Sequence, residues 1–264
     1  MHWGGLRRSD PWRVAHRLGA HVNPDIALAL GAGIKGAADL GQFLPPRFDQ
    51  GPTETCWAHS LASAIFCARA AKLEPLPWVP SPCEIASLGY ADVRARAFPS
   101  GPLPVLVDTG AQLQDGADAV ARWGICPMGR LVEGRWSDVP STSPFPEPQP
   151  QQIETARPIG GEYSIPVDSN APTLCAASLD AGIPVWLGTL VGPVFQALAP
   201  GDIGQPEPSG PNTGGHAMYL SAYRTNSAGA LEFRCENSWG SWGSRWVSEA
   251  WIRACWELWP CAIS

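Results

Sequence analysis

Hydrophobic and polar positions are distributed differently in the two halves of this chain. Residues 56–73 (CWAHSLASAIFCARAAKL) contain no Gly or Pro, and their only charges, Arg69 and Lys72, fall near the C-terminal end. Trp57, Leu61, Ile65 and Ala68 follow helical spacing, while Ala58, Ala62 and Cys67 keep the other face apolar. A helix apolar almost all round predicts a buried central helix, with Thr53 or Thr55 as its cap. Ser81-Pro82 predicts a second, short helix, with Ser81 as N-cap and Pro82 at the first position. Residues 112–123 (QLQDGADAVARW) predict a third, stopped by Gly124.

The second half reads as strands. Residues 184–191 (PVWLGTLV) form an apolar run suited to a buried strand. Residues 217–223 and 231–235 predict a hairpin across the loop at 225–229. Residues 245–252 predict one more strand. Between the halves, residues 134–172 carry Pro140, Pro144, Pro146, Pro148 and Pro150, which break regular structure. The first 45 residues contain few strong signals. Asn23-Pro24 and residues 31–36 read as loop, and Pro45-Pro46 stiffens the approach to the Asp49-Gln50-Gly51-Pro52 turn. The pattern predicts an α+β protein with a cleft where the halves meet. It divides into an N-terminal extension (1–45), a helical lobe (46–133), a Pro-rich connection (134–172) and a β lobe (173–264).

Composition narrows the function classes. A chain of 264 residues can bury a substantial core. Charged residues make up 16%, below the usual figure of about 25%. Gly and Pro supply 28 residues each, which predicts long ordered loops. The net charge is -6 and no Lys/Arg run is present, which argues against nucleic acid or an anionic membrane as partner. No stretch approaches the roughly 18 apolar residues of a membrane span, and the Arg7-Arg8 pair is not followed by the hydrophobic region of a secretion signal. A cytoplasmic location is slightly favoured on this ground. Eight cysteines (56, 67, 83, 126, 175, 235, 255 and 261) include no CxxC pair, which disfavours zinc. Six of the thirteen tryptophans lie between 239 and 259, and the reading favours core packing for them.

Three separated segments carry candidate chemistry. The first is Asp49-Gln50-Gly51-Pro52-Thr53-Glu54-Thr55-Cys56-Trp57. It puts Cys56 at the first turn of the buried helix, where the helix dipole and free N–H groups favour a thiolate and lower its pKa. Gln50, six residues earlier, could join the Cys56 backbone N–H in binding an oxyanion. The second is Asn212-Thr213-Gly214-Gly215-His216-Ala217. A neutral imidazole at the start of an apolar strand can take the thiol proton. The third is Glu236-Asn237-Ser238-Trp239-Gly240-Ser241-Trp242-Gly243. Asn237 can orient the far nitrogen of His216, and Trp239 can shield that bond from water. His59, three residues after Cys56, is the rival base, and it reads better as a packed ring.

These segments, in the order Gln, Cys, His, Asn, resemble the signatures of the papain-like cysteine peptidases (C1-type) over about residues 45–255. The resemblance implies a two-lobed fold, with a central Cys-bearing helix and an antiparallel β-barrel-like lobe. It implies Cys56, His216, Asn237 and Gln50 as catalytic residues, a peptide or protein substrate, and no cofactor. It places substrate contacts at Glu54, Thr55, Trp57, Gly110, Gly215 and Trp239. His216 follows Cys56 by 160 residues, slightly more than the usual roughly 130–150. Thr53 stands where the family has a disulfide cysteine, and Glu54 and Thr55 replace small residues, so they should crowd the wall beside Cys56. Only Gly110 remains of the family's Gly-Gly stretch, in Asp108-Thr109-Gly110-Ala111. The 45 leading residues are too short for the usual inhibitory prosegment, so activity should not depend on removing a large one. Two other readings share these residues: a catalytically silent peptide-binding module, and an amidase or transamidase acting on cell-wall peptide or isopeptide bonds.

Overall fold

The computed structural model describes residues 6–7, 24–72, 79–100, 102–125, 128, 131–132, 135–136, 165 and 167–262. Strand β1 (Leu6–Arg7), helix α1 (Pro24–Ala32) and strand β2 (Ala37–Asp39) come first. The fixed φ of Pro24 suits a first helical position, so a helix begins at Pro24 where a loop was expected. Ile26 of α1 is buried with Ala177, Ile183 and Ala262. Strand β2 lies antiparallel to the long strand of the second half, with Ala38 opposite Tyr223. Residues 24–39 are thus built into the second half and do not stand apart from it.

The buried central helix is α2 (Cys56–Lys72). Neither Thr53 nor Thr55 spends its hydroxyl on the expected cap. Thr53 Oγ1 donates to the Gln50 carbonyl (2.7 Å), and the two hydroxyls lie 2.6 Å apart. Helix α3 (Pro82–Ala97) starts as read, with Ser81 Oγ accepting from Glu84 N at 3.1 Å. It runs 16 residues, so it is not short. Strand β3 (Ala111–Gln112) leads into α4 (Leu113–Trp123), which ends at Gly124 with φ +84°. Trp57 is fully buried between these helices. Its ring stands edge-on to Tyr90 of α3, with centroids 5.5 Å apart.

Strands β4 (Leu131–Val132) and β5 (Arg135–Trp136) pair with each other. Most of the Pro-rich connection lies outside the described residues. The second half then opens with helix α5 (Ala171–Asp180), which the strand reading missed although its sequence, APTLCAASLD, has Pro near the start and several Ala. The sheet contains β6 (Val185–Val191), β7 (Ile203–Gly204), β8 (Gly214–Thr225), β9 (Leu231–Glu236), β10 (Arg245–Ser248) and β11 (Glu257–Pro260), with helix α6 (Pro193–Gln196) after β6. Its order is β11-β6-β8-β9-β10-β7, with β2 added to β8. All pairs are antiparallel except β10 with β7. This path does not close, so the β lobe is an open, mainly antiparallel sheet.

The strand expected over 245–252 stops at Ser248. The Ser248 hydroxyl accepts from Trp251 N (3.2 Å) and caps helix α7 (Glu249–Arg253). Among the described residues seven cysteines are free and buried, so they serve as small apolar core groups. No described helix is long and apolar enough to cross a membrane.

The contact of α2 with α3 depends on Gly89, because a Cβ there would lie 2.5 Å from Trp57 Cη2. Overpacking against a fully buried indole should cost about 1–3 kcal/mol. Gly89→Ala should therefore lower the thermal midpoint by roughly 2–10 °C. A calorimetric scan with an unchanged midpoint would show that Trp57 can shift freely.

Candidate active site

Cys56 is the first residue of α2, and His216 is the third residue of β8. The two elements pack against each other. The backbone N–H groups of Trp57 and Ala217 lie near the Cys56 sulfur and favour its anion. Ala217 directly follows His216, so the thiol and the imidazole come from segments in direct contact.

His216 Nε2 lies 2.8 Å from Asn237 Oδ1. A carbonyl oxygen can only accept, so the ring proton sits on Nε2 and Nδ1 keeps its lone pair. Trp239 stacks over the imidazole, with centroids 4.5 Å apart and planes inclined by 29°. Trp239 in turn meets Phe195 and Trp242 edge-on, and Phe195 stacks on Trp251. The C-terminal tryptophans thereby form an aromatic wall behind His216.

Gln50 is held on both sides. Its Nε2 donates to the Thr53 carbonyl (2.9 Å), and its Oε1 accepts from Ser238 Oγ (2.7 Å). Its backbone N donates to the Ser238 carbonyl (2.9 Å). One amide hydrogen is used in this way, and the amide carries a second. Ser238 was not singled out in the sequence. Its place between Asn237 and Trp239 was the available signal.

Burial decides the charge state. Cys56 is 0% exposed and His216 4%. Desolvation pushes the thiol up to about 12, against the help of the two backbone N–H groups, and the nearby Asp108 and Glu54 carboxylates push the same way. Desolvation also lowers His216 to about 4, partly offset by Asn237. The helix terminus was expected to lower the Cys56 pKa. Here burial outweighs it and favours the neutral forms of both groups.

The expected substrate contacts divide. Thr55 and Trp57 are wholly buried beneath the site, so neither lines its entrance. Glu54 is half-buried, and its backbone N donates to Asp108 Oδ2 (2.8 Å). Asp108 Oδ1 accepts from Tyr90 (2.6 Å). Asp108 was read only for its neighbouring glycine, yet its carboxylate acts on the Cys56 thiol. Gly110 has φ +65°, a conformation that favours glycine, and leads into β3. Gly215 is buried in the β6–β8 ladder, opposite Leu190. Trp239 is partly exposed beside His216.

Strand β1 pairs in parallel with β3, Leu6 opposite Ala111, and also lies against β8. It therefore touches both the strand after Gly110 and the strand of His216. His59 points elsewhere: its Nδ1 donates to the Thr55 carbonyl (3.0 Å), and its ring meets Phe48 edge-on at 5.6 Å. Among the described residues no group of three His, Cys, Asp or Glu side chains is placed to hold a metal.

Solved structures share this architecture. Xylellain, a cysteine protease from Xylella fastidiosa, is similar with a TM-score of 0.68 and 22% identity, over 100% of this chain and 96% of that one. Procathepsin B S9 from Trypanosoma congolense gives 0.65 and 13%, over 97% and 87%. The bromelain protease from Ananas comosus, solved with the E64 inhibitor, gives 0.59 and 16%, over 87% and 100%. No protein-family model matches the sequence, and no curated protein matches it in sequence. The helical half and the open sheet packed against it thus make up a papain-like cysteine protease fold.

Proposed function

We propose that this chain is a cysteine peptidase that cleaves extended peptide segments through Cys56 and His216. The observation that carries the reading is the Asn237 bond to His216 Nε2, which leaves Nδ1 as the base on the ring beside Cys56. Cys56 Sγ attacks the scissile carbonyl while its proton passes to His216 Nδ1. The oxyanion that forms is met by the Cys56 backbone N–H and the second hydrogen of Gln50 Nε2. His216 then returns its proton to the leaving amine, and the acyl group remains on sulfur as a thioester. A water deprotonated by His216 attacks that thioester and releases the second product.

Substrate entry must reverse the desolvation that holds the pair neutral. A bound peptide brings polar atoms to both groups, and proton transfer then creates the thiolate and imidazolium together. The pairing of β1 with β3 supports an extended backbone as the natural occupant of this edge, because one already lies there.

Digestion of a mixed peptide pool tests the reading. His216→Ala should lower kcat/KM at least about a hundredfold, the scale of a lost general base. His59→Phe, which keeps a ring against Phe48, should retain most of the rate. The reverse order would move the base to His59, and a wild-type protein that binds the peptides without cutting them would leave a binding module. Deletion of residues 1–10 tests the covering strand separately. It should speed the reaction of Cys56 with a small alkylating reagent at pH 7 by roughly tenfold, one 1.4 kcal/mol step in access. An unchanged rate would show that β1 does not limit access.

A further inference from the structure

A second cavity lies beside Asn237, with a volume of about 100 Å³. It is bounded by residues 44–48, by Ser60 and Ser63 of α2, by Tyr219 of β8, and by Glu236, Ser238 and Ser244. The elements that carry Cys56 and His216 therefore both contribute to its wall.

The hydrogen-bond inventory of this wall is uneven. Asn237 Oδ1 is fully committed, accepting from His216 Nε2 and from Ser238 N, each at 2.8 Å. Asn237 Nδ2 is buried, and no described residue accepts from it. Tyr219 is 5% exposed, and no described residue bonds its hydroxyl. The serines have already spent their hydrogens: Ser60 on the Cys56 carbonyl (2.7 Å), Ser63 on the His59 carbonyl (2.9 Å) and Ser244 on Glu236 (2.6 Å). They present lone pairs. So the wall offers two buried donors in need of an acceptor, among several acceptors, besides the exposed Arg47 guanidinium.

The wall excludes most occupants. An anion drawn to Arg47 would meet the Glu236 carboxylate in the same wall. A cation would meet the Nδ2 hydrogens. Water both donates and accepts, and the volume exceeds the roughly 10–15 Å³ that one water needs.

We propose that this cavity is a built hydration site that orients the catalytic Asn237. Water in it accepts from Asn237 Nδ2 and Tyr219 Oη and donates to the serine oxygens. This fixes which end of the amide faces His216. With the amide turned over, Nδ2 would meet the Nε2–H and repel it, and the proton would leave the nitrogen that keeps Nδ1 free. Tyr219 is then a positioning residue for Asn237 and does not touch substrate, while Ser63 only bounds the room the water occupies. The inference rests on the peptidase reading for its kinetic consequence and stands apart from it for its geometry.

The geometry is tested by a high-resolution crystal structure of the full chain. An ordered water within hydrogen-bond distance of both Asn237 Nδ2 and Tyr219 Oη is expected. A dry cavity, or a side chain filling it, would overturn the proposal even if the protein cleaves peptides. The coupling is tested by a double-mutant cycle. Tyr219→Phe should lower kcat three- to tenfold with KM within twofold, and should change little further in an Asn237→Ala background. Ser63→Ala, which keeps the room, should stay near wild type, while Ser63→Val, which fills it, should resemble Tyr219→Phe. Additive losses in the Asn237→Ala background would overturn the positioning role. Should the chain cleave no peptide, the His216 imidazole pKa followed by NMR in the same four proteins replaces kcat, so failure of the peptidase reading stays distinguishable. A shift in Tyr219→Phe that vanishes with Asn237→Ala supports the coupling, and equal shifts in both backgrounds would refute it.

Discussion

Residues 48–50 and 238–240 are sewn together, and the site depends on that seam. Gln50 N donates to the Ser238 carbonyl at 2.9 Å and Gly240 N to the Phe48 carbonyl at 3.2 Å. Asp49 and Trp239 form an antiparallel bridge between them. Ser238 Oγ adds a side-chain bond to Gln50 Oε1. Gln50 comes from the turn before α2, whereas Asn237 and Trp239 come from the end of β9, almost 190 residues later. The seam makes these distant segments one rigid unit. A second tie, Trp186 Nε1 to Ser60 Oγ at 2.8 Å, fixes α2 against the sheet. The helix of Cys56 and the strand of His216 pack together, and both ties hold them there.

The same packing sets the electrostatics. A helix N-terminus favours an anion by a few tenths to about 2 kcal/mol, whereas full burial can move a pKa by several units. At Cys56 the larger effect wins, and the thiol rests protonated. The imidazole rests neutral for the same reason. On the proposed function, substrate entry is then the step that creates charge. Trp239 covers the His216–Asn237 bond and keeps water from competing for it.

Much of this was legible in the sequence because it is local. An apolar run without Gly or Pro can only be a buried helix, so the α2 reading came within one residue. Ser81-Pro82 and Gly124 carry their meaning in their own backbone chemistry. The three motifs located Cys56, His216, Asn237 and Gln50, and the structure brings their segments together. What failed depends on distant partners. Thr55 and Trp57 flank Cys56 in sequence, but Trp57 packs against α3 and α4, and the Thr55 hydroxyl turns inward to Thr53. Helix α1 and strand β2 looked like an extension because their partners, α5 and β8, come over 130 residues later. Asp108 carries a charge whose relevance appears only when Tyr90 and Glu54 fold beside it. Ser248 was a helix cap hidden at the end of a strand pattern.

The account centres on Cys56 as the one reactive thiol among eight cysteines. Incubation of the folded protein with a peptidyl epoxide, followed by mass mapping of the digest, reads this directly. One equivalent should attach to Cys56, and Asn237→Ala should slow its attachment. Attachment at another cysteine, or none to the folded protein over the pH range 6–8, would place the chemistry elsewhere and leave Cys56 a buried structural thiol.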